Sequence, residues 1–237
     1  MPSELAEGAG GRFCPTSPSD PAAVPNWADL VERARGRYED GERRLPDDPD
    51  ARQRQLTRMG NAATAAGLSS LMAGRSDAGW FTRAAERYRE SWEGAPPNSW
   101  GRPIGAVKAR ILAGDWEAAA DDARWTLEAG AAEADSPIAR YAAALALLVL
   151  GDWGEARVNA DQARASTDFP GEVADALAAI AAEDVVGYLE AVEDVLSSFE
   201  TRSDYLEEIP VADTVLVLQA LAGRRGMAAV LDSPLLP

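Results

Sequence analysis

The chain contains no histidine. That absence removes the side chain most often used to move protons near neutral pH, and the commonest zinc ligand. Ser-His-Asp and Cys-His nucleophilic arrangements therefore cannot be assembled. Cysteine is nearly missing as well. A single thiol, Cys14, excludes an internal disulfide and any cysteine-rich metal cluster, and reads as a chance thiol rather than a nucleophile. Lysine occurs once, as Lys108, beside 22 arginines, a skew that with the abundant alanine suits a GC-rich coding sequence. Long apolar runs are absent too. Tyr141 to Leu150 is the longest, ten residues against the roughly 20 that span a bilayer. Met1-Pro2-Ser3-Glu4 lacks the basic and apolar regions of a secretion signal. These features predict a soluble cytoplasmic protein that binds no membrane.

Glycine-rich phosphate loops are also missing, since Gly105-Ala106-Val107-Lys108 lies in a helical pattern without the required spacing. Asp47-Asp48-Pro49-Asp50 has the carboxylates of a calcium loop but neither its alternation nor its distal glutamate, so it reads as a solvated turn and helix cap. No metal, cofactor or catalytic residue is expected.

What the chain has in excess is negative charge. Lys plus Arg number 23 against 39 Asp plus Glu, for a formal net charge of −16. Such a field repels nucleic acid and favours a basic protein partner. With 46% hydrophobic residues over 237 positions, the chain can bury a core as one helical domain or a short solenoid.

Residues 1–25, with Gly-Ala-Gly-Gly at 8–11 and prolines at 15, 18, 21 and 25, predict a disordered tail. Residues 26–237 predict a single helical repeat domain. Asn26 caps a helix from Trp27. After the break at 46–50 a long alanine-rich helix runs from about Ala51 to Met72 and stops at Gly74. Asp77 opens the next, which ends at Gly94 after the stripe Trp80, Ala84, Tyr88, Trp92. Pro103–Leu112, Trp116–Ala129, Pro137–Leu150 and a helix from Asp152 to about Ala165 follow, with glycine stops at 114, 130 and 151. Further helices are expected from Gly171, over Val185–Phe199, and from near Pro210 to Gly226. Val215-Leu216-Val217-Leu218 is β-prone but keeps helical spacing with Val211 and Leu221. The count is nine or ten helices and no sheet, an all-α class.

Two turns repeat. Gly114-Asp115-Trp116 and Gly151-Asp152-Trp153 lie 37 residues apart, each followed by a small residue, Ala119 and Ala156. Glycine permits a left-handed turn, aspartate caps the second helix, the indole staples the hairpin and alanine admits close helix approach. This pattern resembles the middle of a tetratricopeptide repeat over roughly 100–168. Val107 and Ala144 stand where that family has glycine, and the spacing is 37 rather than 34. A third copy at Glu183-Asp184 lacks both the glycine and the aromatic. The resemblance implies stacked antiparallel helical hairpins whose first helices, around 103–112 and 138–150, line a concave groove that binds another protein.

A second resemblance covers the last quarter. Ala181-Ala182-Glu183-Asp184, Ala191 to Phe199, Tyr205, Pro210, and Gly226 to the Ser233-Pro234-Leu235-Leu236-Pro237 ending are similar in order to the family numbered 49 among the immunity proteins of bacterial polymorphic toxin systems. It implies a partner that is a cognate toxin domain, and it transfers no functional residue.

Carboxylates are the only enzymatic option. Glu117 and Asp121 share a helix face with Asp122 beside them, but a solvated acidic face explains these residues, and Glu190, Glu193 and Asp194 likewise. Of seven tryptophans, Trp27, Trp116, Trp125 and Trp153 fall where hairpins need core staples, and Trp80 and Trp92 share a stripe with Tyr88. Trp100, beside Asn98, Ser99 and Arg102, is placed as a partly exposed anchor. Because indole and guanidinium groups are enriched at binding hot spots, Trp92, Trp100 and Arg102 are the expected partner-binding patch. The expected function is a non-enzymatic scaffold that binds a protein, in its specific form an immunity protein neutralising a toxin. The alternatives are a helical enzyme or small-ligand binder using buried carboxylates, and a homodimeric structural protein.

Overall fold

A computed structural model describes residues 25–75 and 77–237. The tail expected over 1–25 lies outside these residues except for Pro25, and so does Cys14. Among the described residues there are ten α-helices and no strand. They are α1 (Trp27–Arg43), α2 (Pro49–Met72), α3 (Ala78–Glu90), α4 (Gly101–Ala113), α5 (Trp116–Glu128), α6 (Pro137–Leu150), α7 (Trp153–Arg164), α8 (Gly171–Ala182), α9 (Val185–Glu200) and α10 (Asp213–Gly223), with a 3-10 turn at Leu206–Glu208 before the last. None is long and apolar enough to cross a membrane.

Consecutive helices pack against each other from α1 to α9. They form four hairpins, α2/α3, α4/α5, α6/α7 and α8/α9, and every turn inside a hairpin uses the same backbone bonds. The residue in the left-handed conformation donates its N–H to the carbonyl three residues back, and the next residue donates to the carbonyl five back. At Gly114 the acceptors are Ile111 and Arg110, at Gly151 they are Leu148 and Leu147, and at Gly74 they are Leu71 and Ser70. These bonds satisfy carbonyls that a helix end leaves orphaned.

Glu183 makes the identical pair to Ile180 and Ala179, at φ 58°. The copy that looked worn in the sequence is thus structurally regular, with a glutamate in the position glycine occupies elsewhere. An aspartate then caps each second helix: Asp77 accepts from Gly79 N, Asp115 from Ala118 N, Asp152 from Glu155 N and Asp184 from Gly187 N.

Even-numbered neighbours also touch directly, α2 with α4, α4 with α6 and α6 with α8, whereas the odd-numbered ones show no comparable contact. The even helices are therefore the inner layer of the stack. Burial follows from that position: α6 is enclosed at every residue from Tyr141 to Val149, as expected for a helix apolar all round. Two apolar clusters meet along α4. Ile104, Val107 and Ile111 face the cluster built on α5–α10, and Ala106 and Ala109 face the one built on α1–α3.

The inner face around 103–112 and 138–150 was expected to be an open groove. The chain itself occupies much of it. After α9 the chain turns back, the 3-10 turn lies on α2, and α10 packs on α4, α8 and α9. Two successive arginines at the end of α10 then reach the two Gly-Asp-Trp turns. Arg224 lies 4.4 Å from the Trp116 ring centroid and donates to the Val149 carbonyl of α6. Arg225 lies 4.3 Å from Trp153 and donates to the carbonyls of Ile180 and Ala181 and to Glu183.

Candidate functional site

The expected patch of Trp92, Trp100 and Arg102 comes together, but not at the surface. Trp92 packs on Trp100 with centroids 5.5 Å apart and edge-on against Trp125 at 5.9 Å, and the Arg89 guanidinium covers the Trp125 ring. Trp92 is half-buried and Trp100 is only 5% exposed. The anchor expected at Trp100 is thus a core residue. It immediately precedes α4, and the left-handed Asn98 turns the Pro-rich segment so that the indole folds under the helix start. Arg102, one residue into α4, is buried too, and it enters a cleft.

That cleft, of about 410 Å³, is lined by parts of α2, α4, Tyr88, Leu206 and Asp213. Its floor is the Tyr88 ring, wedged between helices that approach closely because Gly60 and Gly105 carry no side chain. A Cβ on either would sit 2.8 or 2.7 Å from the ring. The Tyr88 hydroxyl donates to Asn61 Oδ1 at 2.8 Å, and burial pushes its pKa up to about 12.

Beside it Lys108 Nζ donates to Asp213 Oδ2 at 2.5 Å and to Thr214 Oγ1 at 3.2 Å. Burial works to lower the Lys108 pKa, but Asp213 and the neighbouring hydroxyls outweigh it and the net shift is upward. Arg102 donates through Nε to Thr57 Oγ1 and through Nη2 to Gln53 Oε1, both neutral acceptors, and its Nη1 has no partner. Burial depresses its pKa and no carboxylate offsets that effect.

A second concavity, of about 370 Å³, lies on the outer face. α7 and α9 wall it, and Ala178, Ala179 and Ala182 of α8 form its base. Asp161 pairs with Arg157 and Asp175 with Arg164. Asp184 is engaged as the cap of α9. Glu190 and Asp194 line the same wall, and among the described residues neither has a cation within 4.0 Å. On α9 the exposed Val186 lies one turn before Glu190 on the same side, whereas the exposed Val185 and Leu189 fall on the side of the helix away from the groove.

Asp122 and Asp213 face inward. Helical spacing puts Asp122 beside Glu117 and Asp121, on what the sequence predicts to be a solvated acidic face. Glu117 and Asp121 are exposed, and Asp121 pairs with Arg124, but Asp122 is 2% exposed. Its two oxygens accept from Arg89 at 2.5 Å and Arg110 at 3.2 Å, so it ties α3, α4 and α5 together. Asp213 is the other, held by Lys108. Each is matched by a cation and they sit in different clefts, so they do not form an acid/base pair. Among the described residues no three His, Cys, Asp or Glu side chains are grouped to hold a metal ion.

Tyr88, Asn61, Lys108 and Asp213 escaped the sequence reading as site residues. Lys108 stood out only as a rarity. Its partner is 105 residues away, and no local pattern carries that pairing. Comparison of the chain with protein-family models, with curated proteins and with solved structures gives no match.

Proposed function

We propose that the chain is a non-enzymatic helical-repeat protein that binds another protein in the cytoplasm, and that the outer groove between α7 and α9 receives a basic segment of this partner. The observation that carries the reading is the pairing of an alanine base with unneutralised carboxylates, Glu190 and Asp194, in a chain of net charge −16. Small side chains let a partner's backbone approach. The carboxylates would select arginine or lysine and steer its approach from solution. Val186, one turn before Glu190, supplies adjacent apolar area that a partner would cover.

The four-hairpin architecture supports a scaffold of the tetratricopeptide kind. The C-terminal resemblance, which spans α9 and α10, supports the more specific role of an immunity protein that neutralises a basic toxin domain. A toxin-like reading frame beside this one would favour that role, and a metabolic operon would weaken it.

The test is to purify a partner from the producing cell at low salt and titrate it against the intact chain. Affinity should fall steeply with added salt, and an E190K/D194K variant should bind about tenfold or more weakly. A purified partner that bound the double variant equally well would remove the groove from the reading. Failure to recover any basic protein at low salt would count against the steering argument. Light scattering on the free chain tests the homodimer, which would instead cover the α9 strip with a second copy.

A further inference from the structure

The inner cleft is distinct from the outer groove and carries a different chemistry. Its charged lining groups are Arg102, Lys108 and Asp213. Lys108 and Asp213 neutralise one another at 2.5 Å, so the net charge is one positive guanidinium. In a chain with 16 surplus negative charges, a buried arginine without a carboxylate within ion-pairing distance is unusual. Removing a guanidinium from water is costly unless a counter-charge or full hydrogen bonding compensates. Thr57 and Gln53 satisfy two of its nitrogens, and Nη1 is enclosed with no acceptor.

The start of α4 reinforces the same sign. Ser99, Gly101 and Arg102 border the cleft, and no side chain caps this N-terminus. The positive end of its dipole therefore has no counter-group of its own. The remaining walls are Ile104, Ala109, Leu112 and Leu206, with Tyr88 beneath. A volume of about 410 Å³ is at the small end of ligand-binding clefts, which run from about 300 to 1,000 Å³.

We propose that this cleft is a binding site for a small organic oxyanion, a carboxylate or phosphate monoester with a compact apolar body, whose oxygens pair with Arg102. The oxyanion supplies the missing counter-charge to the guanidinium, while its apolar body lies against Ile104, Leu112 and Leu206. Asn61, Thr64 and the Tyr88 hydroxyl are the neutral polar groups available at the other side. This site does not depend on the protein-binding reading, and either stands if the other fails.

Titration calorimetry on the full chain with phenylacetate, phenyl phosphate, inorganic phosphate and the neutral phenylacetamide tests it. At least one of the two aromatic anions should bind saturably at one site, and their ratio identifies the preferred oxyanion. Inorganic phosphate should bind more weakly than phenyl phosphate, and phenylacetamide at least tenfold more weakly than phenylacetate. R102M should abolish binding. L206W, at an exposed position on the rim, should obstruct the cleft while leaving the core intact, and it decides the matter if R102M does not fold. The proposal is overturned if neither aromatic anion binds, if phenylacetamide binds as well as phenylacetate, or if folded R102M or L206W binds like the parent.

Discussion

Arg224 stacks on Trp116, and the next residue, Arg225, stacks on Trp153 at nearly the same distance, 4.4 and 4.3 Å. Each arginine also reaches carbonyls at the end of an inner helix, α6 for Arg224 and α8 for Arg225. Two neighbouring residues just after the last helix thus read equivalent places on consecutive hairpins. The tryptophans that mark the repeat are therefore also docking points for the returning chain. Cation–π and charge-assisted hydrogen bonds of this kind contribute roughly 1–3 kcal/mol each. R224A/R225A should lower the protection of α10 amides selectively, with α2 and α3 unchanged. Hydrogen exchange would check this, and equal loss across all helices would contradict a local latch.

The Lys108–Asp213 pair fixes the other end of α10 to α4, with both side chains at least four-fifths buried. Asp213→Ala leaves an ammonium without its partner and should destabilise the fold by about 2–4 kcal/mol, measured by denaturant unfolding. The double replacement K108M/D213L should recover most of the loss, because two apolar groups leave no unpaired charge.

Alkaline pH should expose the same region. Tyr88 ionises near pH 12 in the fold against 10.0 when exposed, and Lys108 is raised above 10.5. Both groups bind more protons folded than unfolded once pH exceeds their exposed values. Stability therefore holds below about pH 10 and falls as pH climbs from there through the folded pKa values. Y88F should remove the Tyr88 share of this decline while leaving the shares of Lys108, Tyr141 and Tyr188, which are also raised in the fold, as seen in thermal melts across pH 9–12.

Glycine positions separate two kinds of cost. Gly105→Ala would place a Cβ 2.7 Å from the Tyr88 ring and should cost about 1–3 kcal/mol through overpacking. Gly114→Ala meets no atom within 4 Å, so its cost of about 1–2 kcal/mol is backbone strain alone, at φ 72°. Glu183→Gly should move stability the opposite way or leave it unchanged, since it relieves the same strain but loses the contact with Arg225. Chemical denaturation midpoints of the three variants would rank them.

Trp100→Ala should cost about 3–5 kcal/mol of stability, because the indole belongs to the core with Trp92 and Ile104. A variant that kept full stability and lost only partner binding would restore the surface-anchor role expected from its neighbours.

Helix positions were legible because their punctuation is local. Asn26, Asp115 and Asp152 cap where they stand in sequence, and Gly74, Gly114 and Gly151 stop helices by their own conformational freedom. Pro137–Leu150 matches its expected bounds for that reason. The start of α2 lies two residues earlier than expected, because Asp48 caps it and Pro49 opens it.

What local pattern could not give is which faces meet. Trp100, Asn98 and Arg102 share polar neighbours in sequence, yet the turn at Asn98 buries the indole. Asp122 differs from Asp121 only by its angle on α5, which aims it at Arg89 and Arg110. The return of α10 across the inner layer depends on contacts such as Lys108 with Asp213, and separations that long leave no periodic trace.

That return has a consequence for the order of synthesis. α4, α6 and α8 precede α10 in the chain, so until α10 has emerged and docked during synthesis their inner faces stand open with Trp116 and Trp153 uncovered. The nascent stack is thus most vulnerable to wrong partners in the interval before residues 213–225 emerge. Slowing translation across that interval would lengthen the exposure without altering a single residue of the finished protein.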